Sequence, residues 1–94
     1  MKGKIYIITN HLNNYVYIGS TVLELERRFK GHYNSIYDTK KKYFMYRDML
    51  GNFKKYNISL LHECDIETRR ELYAVEKEWI KYFKENNYKC YNNR

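Results

Sequence analysis

Lys4-Ile5-Tyr6-Ile7-Ile8-Thr9, Asn10-His11-Leu12-Asn13-Asn14 and Tyr15-Val16-Tyr17-Ile18-Gly19-Ser20 follow one another, and this stretch decides the fold. Two runs rich in β-branched and aromatic residues flank asparagines that tolerate turn conformations, which predicts a β-hairpin. With the turn centred between His11 and Leu12, Tyr6 lies directly across from Tyr17. Their rings share one face of the sheet, because side-chain direction repeats every two residues.

Beyond the hairpin, Thr21 followed by Glu24 reads as a capping box that opens a helix. Leu25, Phe29, His32 or Tyr33, and Ile36 recur along it at helical spacing. The lysine run Lys40 to Lys42 reads as a solvated loop, and a second helix from about Tyr43 should stop at Gly51, a natural C-cap residue. Asn57 to Cys64, with Ile58, Leu60 and Leu61, reads as a third strand, which completes the smallest convincing sheet. After Asp65 the chain turns helical again. Thr68 and Glu71 form another capping box, and Leu72, Val75, Trp79, Ile80 and Phe83 form the buried stripe. The tail from Asn86 to Arg94 is polar and short. The expected architecture is α+β, a three-stranded antiparallel sheet packed against three or more helices, in one domain spanning 1–94.

Composition agrees with one compact domain. The 94 residues are 44% hydrophobic and 31% charged, enough apolar surface for a core. Lys and Arg outnumber Asp and Glu by 18 to 11, giving a formal charge of +7 and a pI near 9.4. Such a field attracts polyanions, and a nucleic acid is the default partner, although a basic, well-dispersed protein has the same balance. Cys64 and Cys90 lie far apart without metal-finger spacing, and the N-terminus lacks the apolar run of a signal peptide. The expected setting is therefore intracellular and reducing, cytoplasm or nucleus, with both cysteines as core thiols. No segment approaches the roughly 18 apolar residues of a membrane span, so a soluble protein with no membrane partner is expected.

Two charges stand where helical periodicity wants apolar residues. Glu76, four residues after Leu72 and four before Ile80, falls inside the stripe that should face the core. A carboxylate there must be paired, protonated or bound to a cation, and a core-edge salt bridge with Lys or Arg would suffice. Arg28 lies three residues after Leu25 and one helical turn before His32, which makes Arg28 and His32 neighbours at i and i+4. Most of the 12 tyrosines should pack inward. Those interleaved with Lys41, Lys42, Lys54 and Lys55 could also stack on bases while the lysines track phosphates, or simply form a solvated face.

These residues resemble the GIY-YIG nuclease family, in order and over nearly the whole chain, Lys4 to Asn92. The likeness is to the catalytic domain of the family's phage homing endonucleases. Lys4-Ile5-Tyr6 stands at the first motif and Tyr17-Ile18-Gly19 is the second. Arg28-Phe29 with His32 is similar to the Arg-aromatic-x-x-His helix. Glu76 ahead of Trp79-Ile80 resembles the metal-binding glutamate, and Tyr91-Asn92 the closing asparagine. Lys4 replaces a glycine at the start of a strand, and Lys41 stands near where some members carry an additional histidine.

The resemblance implies the small GIY-YIG fold and a metal-dependent endonuclease that hydrolyses DNA to 5′-phosphate and 3′-hydroxyl ends. Glu76 would hold one divalent cation, Mg²⁺ ahead of Mn²⁺, and Arg28 would neutralise phosphoryl oxygens. Tyr17 would take the proton of the attacking water, with His32 as the other candidate base. Tyr6 would orient the nucleophile, and Asn92 would fix a backbone or the metal-bearing helix. A tyrosine of ordinary pKa is only ~0.1% ionised at pH 7, so Arg28, the metal and a hydrogen bond from His32 to Tyr17 would have to favour the phenolate. Specificity would come from DNA structure, a homodimer or a protein partner. The competing readings are a non-catalytic nucleic-acid-binding module with a basic, tyrosine-rich surface, and a protein-interaction domain that reuses the fold.

Overall fold

The computed structural model describes residues 1–38 and 43–92. Strands β1 (Lys2–Asn10) and β2 (Tyr15–Thr21) are followed by helices α1 (Leu25–Ile36) and α2 (Phe44–Met49). A 3-10 turn (Phe53–Lys55) leads into β3 (Tyr56–Asp65), then α3 (Arg69–Glu85) and β4 (Lys89–Cys90). The sheet order is β3-β1-β2-β4. β1 runs antiparallel to β2 and β3, and β4 lies parallel to β2. The α+β class is as expected; the sheet gains a fourth strand of two residues.

That strand comes from the tail expected to be merely polar. After α3, Asn87 takes a left-handed φ of 68°. Its N–H bonds the Lys84 carbonyl and that of Tyr88 bonds Phe83, a Schellman turn that satisfies the last helical carbonyls. The Tyr88 ring meets Phe83 edge-on at 4.8 Å. The chain is thereby sent back beside β2, where Cys90 and Tyr91 are buried. At the end of α2, Gly51 supplies the other left-handed residue, φ 77°, as its sequence position predicts.

The hairpin forms, but its register differs from expectation: Tyr6 pairs with Gly19, and Tyr17 with Ile8. The cause is Asn10, whose side-chain oxygen accepts from the N–H groups of Leu12 and Asn13, both at 2.8 Å. Asn13 in turn accepts from Tyr15 N–H at 2.9 Å. These bonds pull the turn one residue toward the C-terminus. A slip of two residues in pairing leaves every side chain on its original face, so the Tyr6 and Tyr17 rings still meet, 6.3 Å apart.

Thr21 does not cap α1. It ends β2, with its hydroxyl accepting from Leu23 N–H, and Glu24 is the N-cap without a side-chain bond. The second box is real: Thr68 accepts from Glu71 N–H, and the Glu71 carboxylate from Glu67 N–H.

Both faces of the sheet are covered. Ile5, Val16 and Ile18 pack against Leu72 and Phe83 of α3, with Val75, Trp79 and Ile80 half-buried beside them. Tyr6 and Ile8 pack on the other face against Met45, Tyr46 and Met49 of α2 and, at the edge, Leu25 and Phe29 of α1. Each fully buried apolar side chain contributes about 1.5–3 kcal/mol. Cys90 is buried and Cys64 half-buried, both as thiols. Among the described residues no helix is long and apolar enough to cross a membrane.

Candidate active site

β2 carries the site to the sheet edge. β4 pairs only with Tyr15 and Val16, so from Ile18 onward something else must satisfy the outer edge. Asn92 does so. Its Oδ1 accepts from Ile18 N–H at 3.0 Å and its Nδ2 donates to Ile18 C=O at 2.7 Å, a side-chain amide standing in for one more strand residue. Tyr91 N–H bonds Val16 C=O at 2.7 Å just before it.

At this edge the helices from both faces converge on a cleft of about 1170 Å³. Tyr17, Arg28, Glu76 and Asn92, far apart in sequence, all line it. Glu76 is half-buried as its helical phase predicts, and Ser20 Oγ donates to its Oε1 at 2.5 Å. Among the described residues the ion pairs are Lys2 with Glu63 and Asp65, and Lys81 with Glu85, all on the surface. The salt bridge considered for Glu76 is therefore not among them.

Tyr6 and His32 lie beneath the cleft wall rather than on it, at 0% and 1% exposure. His32 Nε2 is 2.7 Å from the Tyr6 hydroxyl and Nδ1 is 2.8 Å from that of Tyr46. The hydrogen bond expected from His32 to Tyr17 is thus replaced by bonds to two other tyrosines, and Tyr17 meets the imidazole edge-on at 5.4 Å. Burial pushes the Tyr17 phenol up to about 12, the Glu76 charge adds to the rise, and Arg28 only partly opposes it. Of the three groups expected to favour the phenolate, Arg28 alone acts here without a cation, and the neutral phenol is favoured. Burial raises Tyr6 more strongly still, against the pull of Arg28.

The glycine of Tyr17-Ile18-Gly19 has a steric reason. Gly19 lies opposite Tyr6, and a Cβ there would run into the Tyr6 ring and hydroxyl. With that ring fully buried, Gly19→Ala should cost about 1–3 kcal/mol by overpacking and displace the hydroxyl from His32. Chemical denaturation checks this; a variant of wild-type stability would contradict it.

Several residues escaped the sequence reading. Ser20 carried no signal beyond its neighbours, and Tyr46 stood only among the lysine-interleaved tyrosines considered for base stacking, not as a partner of His32. Lys77, Lys81 and Lys84 line the cleft, and their spacing of three and four residues along α3 could have revealed them as one basic face. Lys54 and Lys55 are exposed on the 3-10 turn, outside the cleft lining, while Lys41 and Lys42 fall outside the described residues.

The donor set is compatible with a divalent cation that keeps most of its water. Among the described residues no three His, Cys, Asp or Glu side chains group as a metal cage. Of the two carboxylates that line the cleft, Glu85 is paired with Lys81 at 3.9 Å, whereas Glu76 has no ion pair among the described residues and faces an open wall, the arrangement in which Mg²⁺ keeps several waters and takes its remaining oxygens from a phosphate.

Comparison with known proteins places the chain among relatives. The family model described as the GIY-YIG catalytic domain matches residues 2–89. MSV199 domain-containing protein 146R of Invertebrate iridescent virus 6 is 39% identical over 83 residues, 85% of this chain and 33% of that protein. The uncharacterised protein 019R of the same virus is 34% identical over 79 residues, 84% of this chain and 28% of its own length. The chain thus spans about a third of the curated relatives it matches. Among solved structures, the catalytic domain of intron endonuclease I-TevI, a point mutant, superposes with a TM-score of 0.73 at 28% identity. That match covers 95% of this chain and 91% of the other. With motif residues, fold and family model in agreement, this chain belongs to the GIY-YIG family of nuclease domains.

Proposed function

We propose that this domain is a divalent-metal-dependent endonuclease that hydrolyses DNA phosphodiester bonds in the cleft, leaving 5′-phosphate and 3′-hydroxyl ends. The observation that carries the reading is the convergence of Tyr17, Arg28 and Glu76, from three separate elements, on one cleft wall. Glu76 would hold Mg²⁺, or Mn²⁺ in its place, which when bound supplies Lewis-acid stabilisation of charge on the phosphoryl and leaving oxygens. Arg28 presents a rigid fork of donors to the non-bridging oxygens. Ser20 holds the Glu76 carboxylate in a fixed rotamer, and Asn92 locks the β2 backbone from which Tyr17 projects.

Tyr17 is the group on the wall suited to orient a water and accept its proton. His32, at 1% exposure with both ring nitrogens engaged, acts through the tyrosines it bonds rather than on the water. Tyr6 is equally enclosed and serves to hold His32.

Lys77, Lys81 and Lys84 are proposed to track phosphates along one side of the cleft, with Lys54 and Lys55 meeting a duplex that extends beyond it. Lysines and a guanidinium read backbone charge rather than base edges, so sequence choice is proposed to come from DNA shape, a second copy or a protein partner. Replacing the three α3 lysines by alanine should lower the magnitude of the log–log salt slope of DNA binding by roughly 2–3, at about 0.9 per phosphate contact. An unchanged slope would remove the lysine track. The function itself is tested by incubating supercoiled plasmid with the protein in Mg²⁺ or EDTA and sequencing the ends. Mg²⁺-dependent nicking with 5′-phosphates is expected; binding without nicking would leave a nucleic-acid-binding module.

A further inference from the structure

His32 is sealed from solvent yet bonded at both ring nitrogens, and its two partners are not equivalent. Tyr6 is 0% exposed and lies off the cleft wall; Tyr46, at 7%, forms part of that wall. The chain Tyr6–His32–Tyr46 therefore runs from the interior to the cleft, with Tyr46 at its outer end.

Its direction follows from Arg28. A guanidinium has only donors, and this one lies beside the Tyr6 hydroxyl, where it favours negative charge on that oxygen. With a lone pair of Tyr6 assigned to Arg28, its proton is assigned to the 2.7 Å contact with His32 Nε2. A neutral imidazole that accepts at Nε2 carries its proton on Nδ1 and donates it to the Tyr46 oxygen. The Ser35 hydroxyl also bonds the Tyr46 oxygen, in the sense that favours negative charge there and so as a donor, which leaves the Tyr46 proton to point onward, into the cleft. All the bonds run in one sense, so each polarises the next.

We propose that Tyr46 is a residue of the active site, a neutral hydroxyl that donates to a phosphate oxygen and both fixes and is aimed by the Nδ1–H tautomer of His32. The nature of the acceptor rests on the nuclease reading; the tautomer does not. Burial raises the Tyr46 phenol above its ordinary value, which keeps it protonated, and so a donor, at neutral pH. The role is a hydrogen bond strengthened along a chain, and no proton changes owner.

The test pairs nitrogen-15 NMR of the His32 imidazole with single-turnover cleavage of plasmid DNA in Mg²⁺, for the wild type, Tyr46→Phe, Tyr6→Phe and the double variant. The wild type should show a neutral ring protonated on Nδ1, and Tyr46→Phe should shift it toward the Nε2–H form with circular dichroism unchanged. Cleavage by Tyr46→Phe should slow about tenfold, the equivalent of one net hydrogen bond. DNA affinity should change less than threefold. The double variant should be less impaired than the product of the single effects, because the bonds act as one chain. A doubly protonated or Nε2–H ring in the wild type, or wild-type cleavage by Tyr46→Phe, would overturn the proposal. If the wild type cuts no DNA, the nuclease reading fails by itself, and the tautomer still decides this one.

Discussion

Glu76→Ala is expected to lower Mg²⁺-dependent cleavage by at least about a thousandfold. The loss would follow from charge stabilisation of several kcal/mol by the cation that Glu76 is proposed to hold at the reacting phosphate. The fold should survive. Glu76 is half-buried, its side chain accepts from the Ser20 hydroxyl, and alanine is the better helix former at that position. Stability is therefore expected to stay within about 1 kcal/mol of the wild type, with DNA affinity retained or raised as one negative charge leaves the cleft. Cleavage assays beside thermal denaturation check both halves. Undiminished cutting would remove the metal assignment, whereas loss of folding would return Glu76 to a structural role.

Arg28→Ala is expected to slow cleavage about 100- to 1000-fold, the usual consequence of deleting a donor aimed at charge that grows in the transition state. Affinity should fall little if, as proposed, the lysines that line the cleft along α3 carry the ground-state phosphate attraction. Arg28→Lys should recover only part of the rate, since an ammonium lacks the planar fork. Arg28 also lies beside the Tyr6 hydroxyl, so its removal loosens the Tyr6–His32 pair as well. Measuring rate and affinity separately distinguishes the readings: a rate within threefold of the wild type would argue against a phosphate role.

How much of this was legible in the sequence differs residue by residue. Glu76 and Arg28 were legible because a charge inside an apolar helical stripe violates a period of 3.6, and that violation is visible without coordinates. The shared face of Tyr6 and Tyr17 survived a wrong register for a similar reason. Asn10 moved the turn by an amount that preserves the two-residue alternation of the strands. Tertiary pairings were not legible. The two-residue β4 depends on Asn87 reversing the chain after α3 and on a vacant edge of β2, neither of which has a local periodic signal.

The partners of His32 were equally hidden. With 12 tyrosines in the chain, sequence offers no way to choose Tyr46 over its neighbours, and only packing of α2 against α1 brings it to Nδ1. The rise at Tyr17 was not legible either, because it comes from burial and the nearby Glu76 charge, which outweigh Arg28 in the protein without a cation. A cation held at Glu76 would also bear on Tyr17. By offsetting the Glu76 charge it would remove one of the causes that hold Tyr17 in its neutral form.

The central claim is that Glu76 gathers a divalent cation beside Tyr17 and Arg28. It is tested most directly by titrating Mn²⁺ into the nitrogen-15-labelled protein and following paramagnetic broadening. Broadening centred on Ser20, Glu76 and Tyr17, and lost in Glu76→Ala, is the predicted result; broadening centred elsewhere, or unaltered in that variant, would contradict it.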